Sequence, residues 1–203
     1  MAALQVPPGR MGRRWLIDRL ELAERSVTLL EEKLQLLSSL RDRLQRRVDE
    51  TRRDWNRSCR EADTWGLRAT LLGGQRAVEL AAPTSHAAVT VGWATTAGVR
   101  YHDAAQCMFP PENDPTVIHT SSASVRAAQA YRAAVIAAAD HAAAHSALAT
   151  VEREFNTTKL RVRALSRHWL PRLRQELARV ELELEEQDRD AAIRVRRTHR
   201  PGR

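Results

Sequence analysis

Residues 16–48 read LIDRLELAERSVTLLEEKLQLLSSLRDRLQRRV, and the spacing of their apolar side chains sets the architecture. Leu16, Leu20, Ala23, Val27, Leu30, Leu34, Leu37, Arg41, Leu44 and Val48 recur in alternating steps of four and three, and Arg41 is the one charged member. Residues at these steps share one face of an α-helix. A 3.5-residue apolar repeat held over many turns pairs helices along a narrow seam instead of building a thick core. The same phase continues through Thr51, Trp55, Ser58, Ala62, Trp65, Ala69 and Leu72, with smaller, more polar or aromatic occupants. At about 1.5 Å per residue, the segment from Leu16 to Leu72 makes a helix roughly 85 Å long. A mechanical or connective role is expected of such an element.

On its N-terminal side, Pro7, Pro8 and Gly9 mark a short arm and the first helix starts near Gly12; on the other side, Gly73-Gly74 disfavours its continuation, with a looser extension to Leu80. Between Pro83 and His119 the helical period vanishes. There Val89-Thr90-Val91 and Val99-Arg100-Tyr101 flank a turn at Thr95-Thr96-Ala97-Gly98, which predicts a small β-hairpin, and Pro110-Pro111-Glu112-Asn113-Asp114-Pro115 predicts a loop. Ser121 or Ser122 is placed to cap a second long helix. Its stripe runs Ala127, Ala130, Ala134, Ala137, His141, Ala144, Leu148, Val151, Phe155, Thr158, Val162, Leu165 and Trp169. The step then becomes four and four through Leu173 and Leu177, a stutter that unwinds a supercoil, and Pro171 inside it predicts a bend.

The expected fold is therefore all-α. N- and C-terminal helices form an antiparallel two-helix coiled coil around a small central insert. The predicted segments are a first helix at 12–80, the insert at 81–120, a second helix at 121–196 and a basic tail at 197–203. If Leu16 lies opposite Val195, Trp65 meets the small side chains at 144–147, and Arg41 meets the stutter at 169–173, where an indole face accommodates a cation.

The composition fits paired helices: 43% of residues are hydrophobic but only 4% aromatic, so bulky core side chains are scarce. A net charge of +8 invites a polyanion, yet the arginines are interspersed with Asp and Glu along most of the chain. That pattern is read as a solvated helix face before a nucleic-acid surface. Cys59 and Cys107, the only cysteines, have no metal-ligand spacing, which fits a reducing compartment. No apolar stretch of signal-peptide length precedes the first helix, and the longest apolar run, 133–139, is far shorter than the roughly 20 residues a bilayer requires. A soluble or peripheral protein is expected.

Sequence motifs for chemistry are few. The chain has no G-x-x-x-x-G-K-[ST] loop and no G-x-G-x-x-G, so no phosphate cradle, catalytic residue or cofactor site is expected. His141 and His145 are four apart and Asp140 adjoins them, but Ala142 stands where a metalloprotease carries its glutamate; a structural pair is the preferred reading and no metal site is assigned. Trp55, Trp65 and Trp169 are read as packing residues.

The two ends resemble the D subunit of V/A-type rotary ATPases, a central-stalk rotor subunit. The first matching block is Val6-Pro7-Pro8, Leu20-Glu21-Leu22-Ala23-Glu24 and Leu29-Leu30-Glu31-Glu32-Lys33. The second is Arg161-Val162-Arg163-Ala164-Leu165, Leu170-Pro171-Arg172-Leu173 and Leu182-Glu183-Leu184-Glu185-Glu186-Gln187-Asp188-Arg189 with the basic tail, and Ala97-Gly98-Val99-Arg100-Tyr101 resembles the family's hairpin turn. The Ala-rich stretch at 127–147 and the insert at 106–121 depart from the family pattern. The resemblance implies a noncatalytic shaft that couples proton or sodium flow to ATP synthesis or hydrolysis. The implied partners are the catalytic and nucleotide-binding ring subunits, a small central-stalk subunit and a socket subunit above the membrane rotor ring. The implied location is peripheral, on the cytoplasmic side of the membrane. Arg161, Arg172, Arg194, Arg196 and Arg197 are the candidate partner contacts. The alternative is a basic coiled-coil scaffold or nucleic-acid-binding protein; otherwise no direct nucleic-acid contact is expected.

Overall fold

The computed structural model of the chain describes residues 5–83, 85–111 and 117–198. Helix α1 spans Gly9–Leu80, strands β1 and β2 span Ala88–Thr96 and Val99–Met108, and α2 spans Ser122–Ala164. A π-helical turn at Leu165–Trp169 joins α2 to α3, Leu170–Thr198. This is the expected class: two long helical arms with a two-stranded antiparallel sheet between them. Residues 112–116 of the expected proline-rich loop and 199–203 of the basic tail lie outside the described residues.

Local chemistry explains the element ends. Gly74 leaves helical space at φ 71°, ψ 176°, where a side chain would be strained, and interrupts the last turns of α1. Ser121 caps α2: its hydroxyl accepts from the Ser124 amide at 3.2 Å, and the Ser124 hydroxyl accepts from the Ser121 amide at 3.3 Å. That reciprocal pair satisfies two amides otherwise left over at a helix start. The hairpin turns at Ala97 (φ 51°) and Gly98 (φ 75°), the two positive angles of a type I′ turn, whose twist matches that of paired strands. The strands are longer than the β-branched clusters alone predict, because backbone pairing carries on from Thr96–Val99 to Ala88–Met108 through a register slip between Val91 and Trp93.

The chain divides into two compact units, residues 1–35 with 156–203, and residues 36–155. In the first, Leu16, Ala23, Leu170, Leu173 and Val180 form the core, flanked by Val6, Trp15, Leu20, Val27, Leu177 and Leu184. Salt bridges set its antiparallel register: Glu24 meets Arg174, Arg13 meets Glu181 and Arg10 meets Asp188. The expected pairing of Leu16 with Val195 is therefore wrong. Leu16 is fully buried in the cluster containing Leu170 and Leu173, while Val195 is 57% exposed.

The second expectation that fails is Trp169 in the seam. The Leu170 amide donates to the Leu165 carbonyl, five residues back, and this wider turn advances the inward position by one residue. Trp169 is 39% exposed and Leu170 takes its place at 7%. Beyond it Leu173, Leu177, Val180 and Leu184 resume steps of four and three.

In the second unit, Leu37, Leu40, Leu44 and Val48 of α1 pack with Ala144, Ala147, Leu148 and Val151 of α2 and with Val99 and Tyr101 of β2. Trp65 sits among alanines as a large side chain against small ones, but these are Ala62, Ala130 and Ala134 on one side and Ala69, Ala123 and Ala127 on the other, not residues 144–147. Arg41 lies 5.0 Å from the Phe155 ring centre and pairs with Asp42, so the cation rests on a phenyl ring instead of Trp169. The seam of α1 holds to Ala69; Leu72, two residues before the non-helical Gly74, is 72% exposed.

Candidate functional site

The functional question for helices of this kind is what their outer surfaces present. In the first unit several basic side chains face acidic ones. Arg174 reaches Glu24 at 2.8 Å and Arg13 reaches Glu181 at 2.9 Å, tying α3 to α1. Arg179 lies between Glu176 and Glu183 at 2.9 and 2.7 Å, and its hydrogen bond to Glu176, then the charges of both carboxylates, hold its pKa above the ordinary arginine value. These groups are exposed, so water screens each pair and its contribution to stability is small. These pairs link α1 to α3 and brace α3, whereas Lys159, Arg161, Arg163, Arg167, Arg172 and Arg174 follow one another with no Asp or Glu among them.

The five candidate contact arginines are strung along the C-terminal arm. Arg161 is exposed near the end of α2, Arg172 is half-buried beside Pro171, and Arg196 is exposed on α3. Arg194 donates through Nε to the Asp190 carbonyl at 3.3 Å. Arg197 is helical in backbone, and its side chain lies outside the described residues. From 161 to 197 the helix rises roughly 50 Å at about 1.5 Å per residue, so these arginines do not converge on one ligand.

In the second unit the hairpin is docked by specific contacts. Tyr101 and Val99 enter the helical core, the Tyr101 hydroxyl lies 3.3 Å from Thr96 Oγ1, and His102 Nδ1 lies 2.8 Å from Ser146 Oγ. Asp103 faces Arg47 at 3.7 Å. On the outer surface Arg100 covers the Trp93 ring at 4.4 Å, and His102 tilts against that ring at 4.2 Å. Sequence reasoning located the hairpin but not its dock. The available signal was a widened apolar face: Leu40 on α1 and Ala143 and Ala147 on α2 are buried beside the main seam.

His141 packs as a structural residue. Its Nδ1 lies 3.2 Å from Thr51 Oγ1 and its ring stacks on Trp55 at 5.4 Å, while exposed His145 is 6.3 Å away ring to ring. Among the described residues no group of three His, Cys, Asp or Glu side chains is arranged to hold a metal. A hollow of about 810 Å³ in this unit is open and lined mainly by apolar groups such as Leu67, Val78, Phe109, Tyr131 and Val135. Its wall includes Asp63, His119 and Arg132 but no glycine-rich phosphate loop. No helix among the described residues is long and apolar enough to cross a membrane.

Comparison with known proteins gives this arrangement a context. The family of the ATP synthase D subunit matches residues 15–200, a span that takes in both helical arms and the hairpin. The chain is also similar to the D subunit of the A-type ATP synthase of Methanopyrus kandleri, at 29% identity over 198 residues covering 95% of this chain and 84% of that protein. With the family matched over nearly its whole length, the chain belongs to the ATP synthase D-subunit family.

Proposed function

We propose that this protein is the noncatalytic central-stalk rotor shaft of a V/A-type rotary ATPase. It transmits torque between the ring of catalytic and nucleotide-binding subunits and the ion-translocating rotor in the membrane, during ATP synthesis or hydrolysis. The observation that carries the reading is the family match over residues 15–200. The physical chemistry agrees with it. A torque-bearing part needs stiff helices held by close apolar seams, and Leu16, Leu37, Leu173 and Val151 are fully buried in such seams. It also needs outer faces that differ around its circumference, and it needs no general base or nucleophile.

Under this reading Arg161, Arg172, Arg194, Arg196 and Arg197 meet the inner surface of the ring. The small stalk subunit and the socket above the membrane rotor are the remaining partners. The shaft sits peripherally on the cytoplasmic side of the membrane. The test is coupling in reconstituted vesicles. With assembly verified, Leu173→Ala is expected to reduce ATP synthesis or ion pumping more than ATP hydrolysis, because hydrolysis continues around a slipping shaft. Equal retention of both activities contradicts the torque-bearing role.

A further inference from the structure

The seam of the C-terminal arm carries one residue more than a heptad repeat allows. Before the π turn Thr158, Val162 and Leu165 keep steps of four and three; after it Leu170, Leu173, Leu177, Val180 and Leu184 do so again. The five-residue step from Leu165 to Leu170 absorbs the surplus. One residue is worth about 100° of rotation in an α-helix, so an uncorrected surplus turns every later seam side chain away from the partner helix.

Two remedies exist. A π turn confines the correction to a single wide turn. Alternatively a run of four-residue steps through Leu165, Trp169, Leu173 and Leu177 spreads it along an ordinary α-helix whose supercoil locally unwinds. The chain holds an apolar residue for each remedy, adjacent in sequence: Leu170 for the first and Trp169 for the second. The structure shows the first, with Leu170 buried and Trp169 turned out.

Pro171 biases the choice. It has no N–H to offer the Arg167 carbonyl four residues back, and its ring presses on that carbonyl in a regular α-helix. A π turn immediately before it places both interruptions of the hydrogen-bond ladder within one turn. Ser166, Arg167 and His168 are exposed there, so water reaches the freed carbonyls.

We propose that the π turn is a phase joint with two packings of the same sequence. In one, Leu170 fills the seam through the π turn; in the other, Trp169 replaces it in a continuous α-helix, and Pro171 holds the balance toward the first. Leu173, Leu177, Val180 and Leu184 face the partner helix in both packings, so α3 exchanges them without unfolding. What changes is the local twist across 165–170. The arm thereby has one defined position at which it takes up twist while its seam stays closed. The proposal rests on packing within this chain and stands independently of the rotor reading.

The test uses the full chain labelled with 5-fluorotryptophan and observed by fluorine NMR, the Trp169 signal being assigned by its loss in Trp169→Phe. The wild-type Trp169 signal is expected to show the H2O/D2O isotope shift of an exposed ring. Pro171→Ala is expected to add a second Trp169 signal lacking that shift, or to move the average toward it. A second variant deletes Ser166, which removes the surplus residue and brings Leu165 and Leu170 four apart. Its melting midpoint is expected within about 4 °C of wild type, the effect of a small free-energy change in a chain of this size. Deletion of Gln175, also exposed but outside the π turn, is expected to lower the midpoint at least twice as far. A single exposed Trp169 signal in Pro171→Ala overturns the two-packing joint, and a Ser166 deletion that melts as low as the Gln175 deletion overturns the surplus-residue account.

Discussion

Replacing Leu173 by Ala removes three carbons from a side chain with no exposed surface, at the centre of the cluster of Leu16, Ala23, Leu170 and Val180. At about 0.8 kcal/mol per buried carbon group, the transfer term is about 2.4 kcal/mol. A residual cavity adds about 24 cal/mol per Å³. The seam of a helix pair closes partly over a missing side chain, so that second contribution is small and the expected total is about 3 kcal/mol. In a chain of this size such a loss lowers the melting midpoint by roughly 6–12 °C. Urea denaturation followed by circular dichroism at 222 nm measures the free energy, and a thermal scan measures the midpoint. The comparison variant is Leu182→Ala, on the same helix but 54% exposed, for which the expected cost is about 0.5 kcal/mol or less. Half-buried Leu165 falls between them, at about 1 kcal/mol. Equal stability of Leu173→Ala and Leu182→Ala would refute the seam, because burial there, not mere hydrophobicity, sets the cost.

Three further outcomes are expected. Thr158 is fully buried and its Oγ1 has no hydrogen-bond partner among the described residues, so Thr158→Val removes an uncompensated hydroxyl of nearly the same shape and should raise stability by about 1 kcal/mol in urea titration. Ala97 holds a positive φ in the hairpin turn; Ala97→Asn should stabilise the hairpin by a few tenths to about 1 kcal/mol, seen as slower amide exchange across β1 and β2. Ser121→Ala removes the cap that accepts from the Ser124 amide and should cost about 1 kcal/mol, with faster exchange confined to the first turn of α2.

The elements were legible in the sequence because their signals are local. Alternating steps of three and four mark a paired helix wherever they occur, Ala97-Gly98 between β-branched runs marks a tight hairpin, and Ser121-Ser122 before an apolar run marks a cap, with Ser121 chosen by its bond to Ser124. The family resemblance was legible at the two ends for the same reason, being carried by contiguous blocks such as 161–173 and 182–189. The candidate contact arginines could be named by type and position, but their setting could not: Arg172 is half-buried beside Pro171, and Arg194 bonds back to its own helix.

Register, by contrast, is fixed by tertiary contacts. A heptad seam slid by whole heptads again sets apolar on apolar, so a one-dimensional pattern cannot tell Leu16 opposite Val195 from the register of the Glu24–Arg174 and Arg13–Glu181 pairs, which brings Leu16 level with Val180. The degeneracy is broken by non-periodic contacts that exist only in three dimensions. These are the Glu24–Arg174 and Arg13–Glu181 pairs in one unit, and Trp65 among its alanines and Tyr101 docked beside Leu40 in the other. Trp169 against Leu170 is the same degeneracy at the scale of one residue. Both are apolar and adjacent, and hydrophobicity alone leaves the inward one undecided. The choice falls to Leu170 because Pro171 lacks an amide and the turn before it widens, a backbone cost that no count of apolar spacings contains.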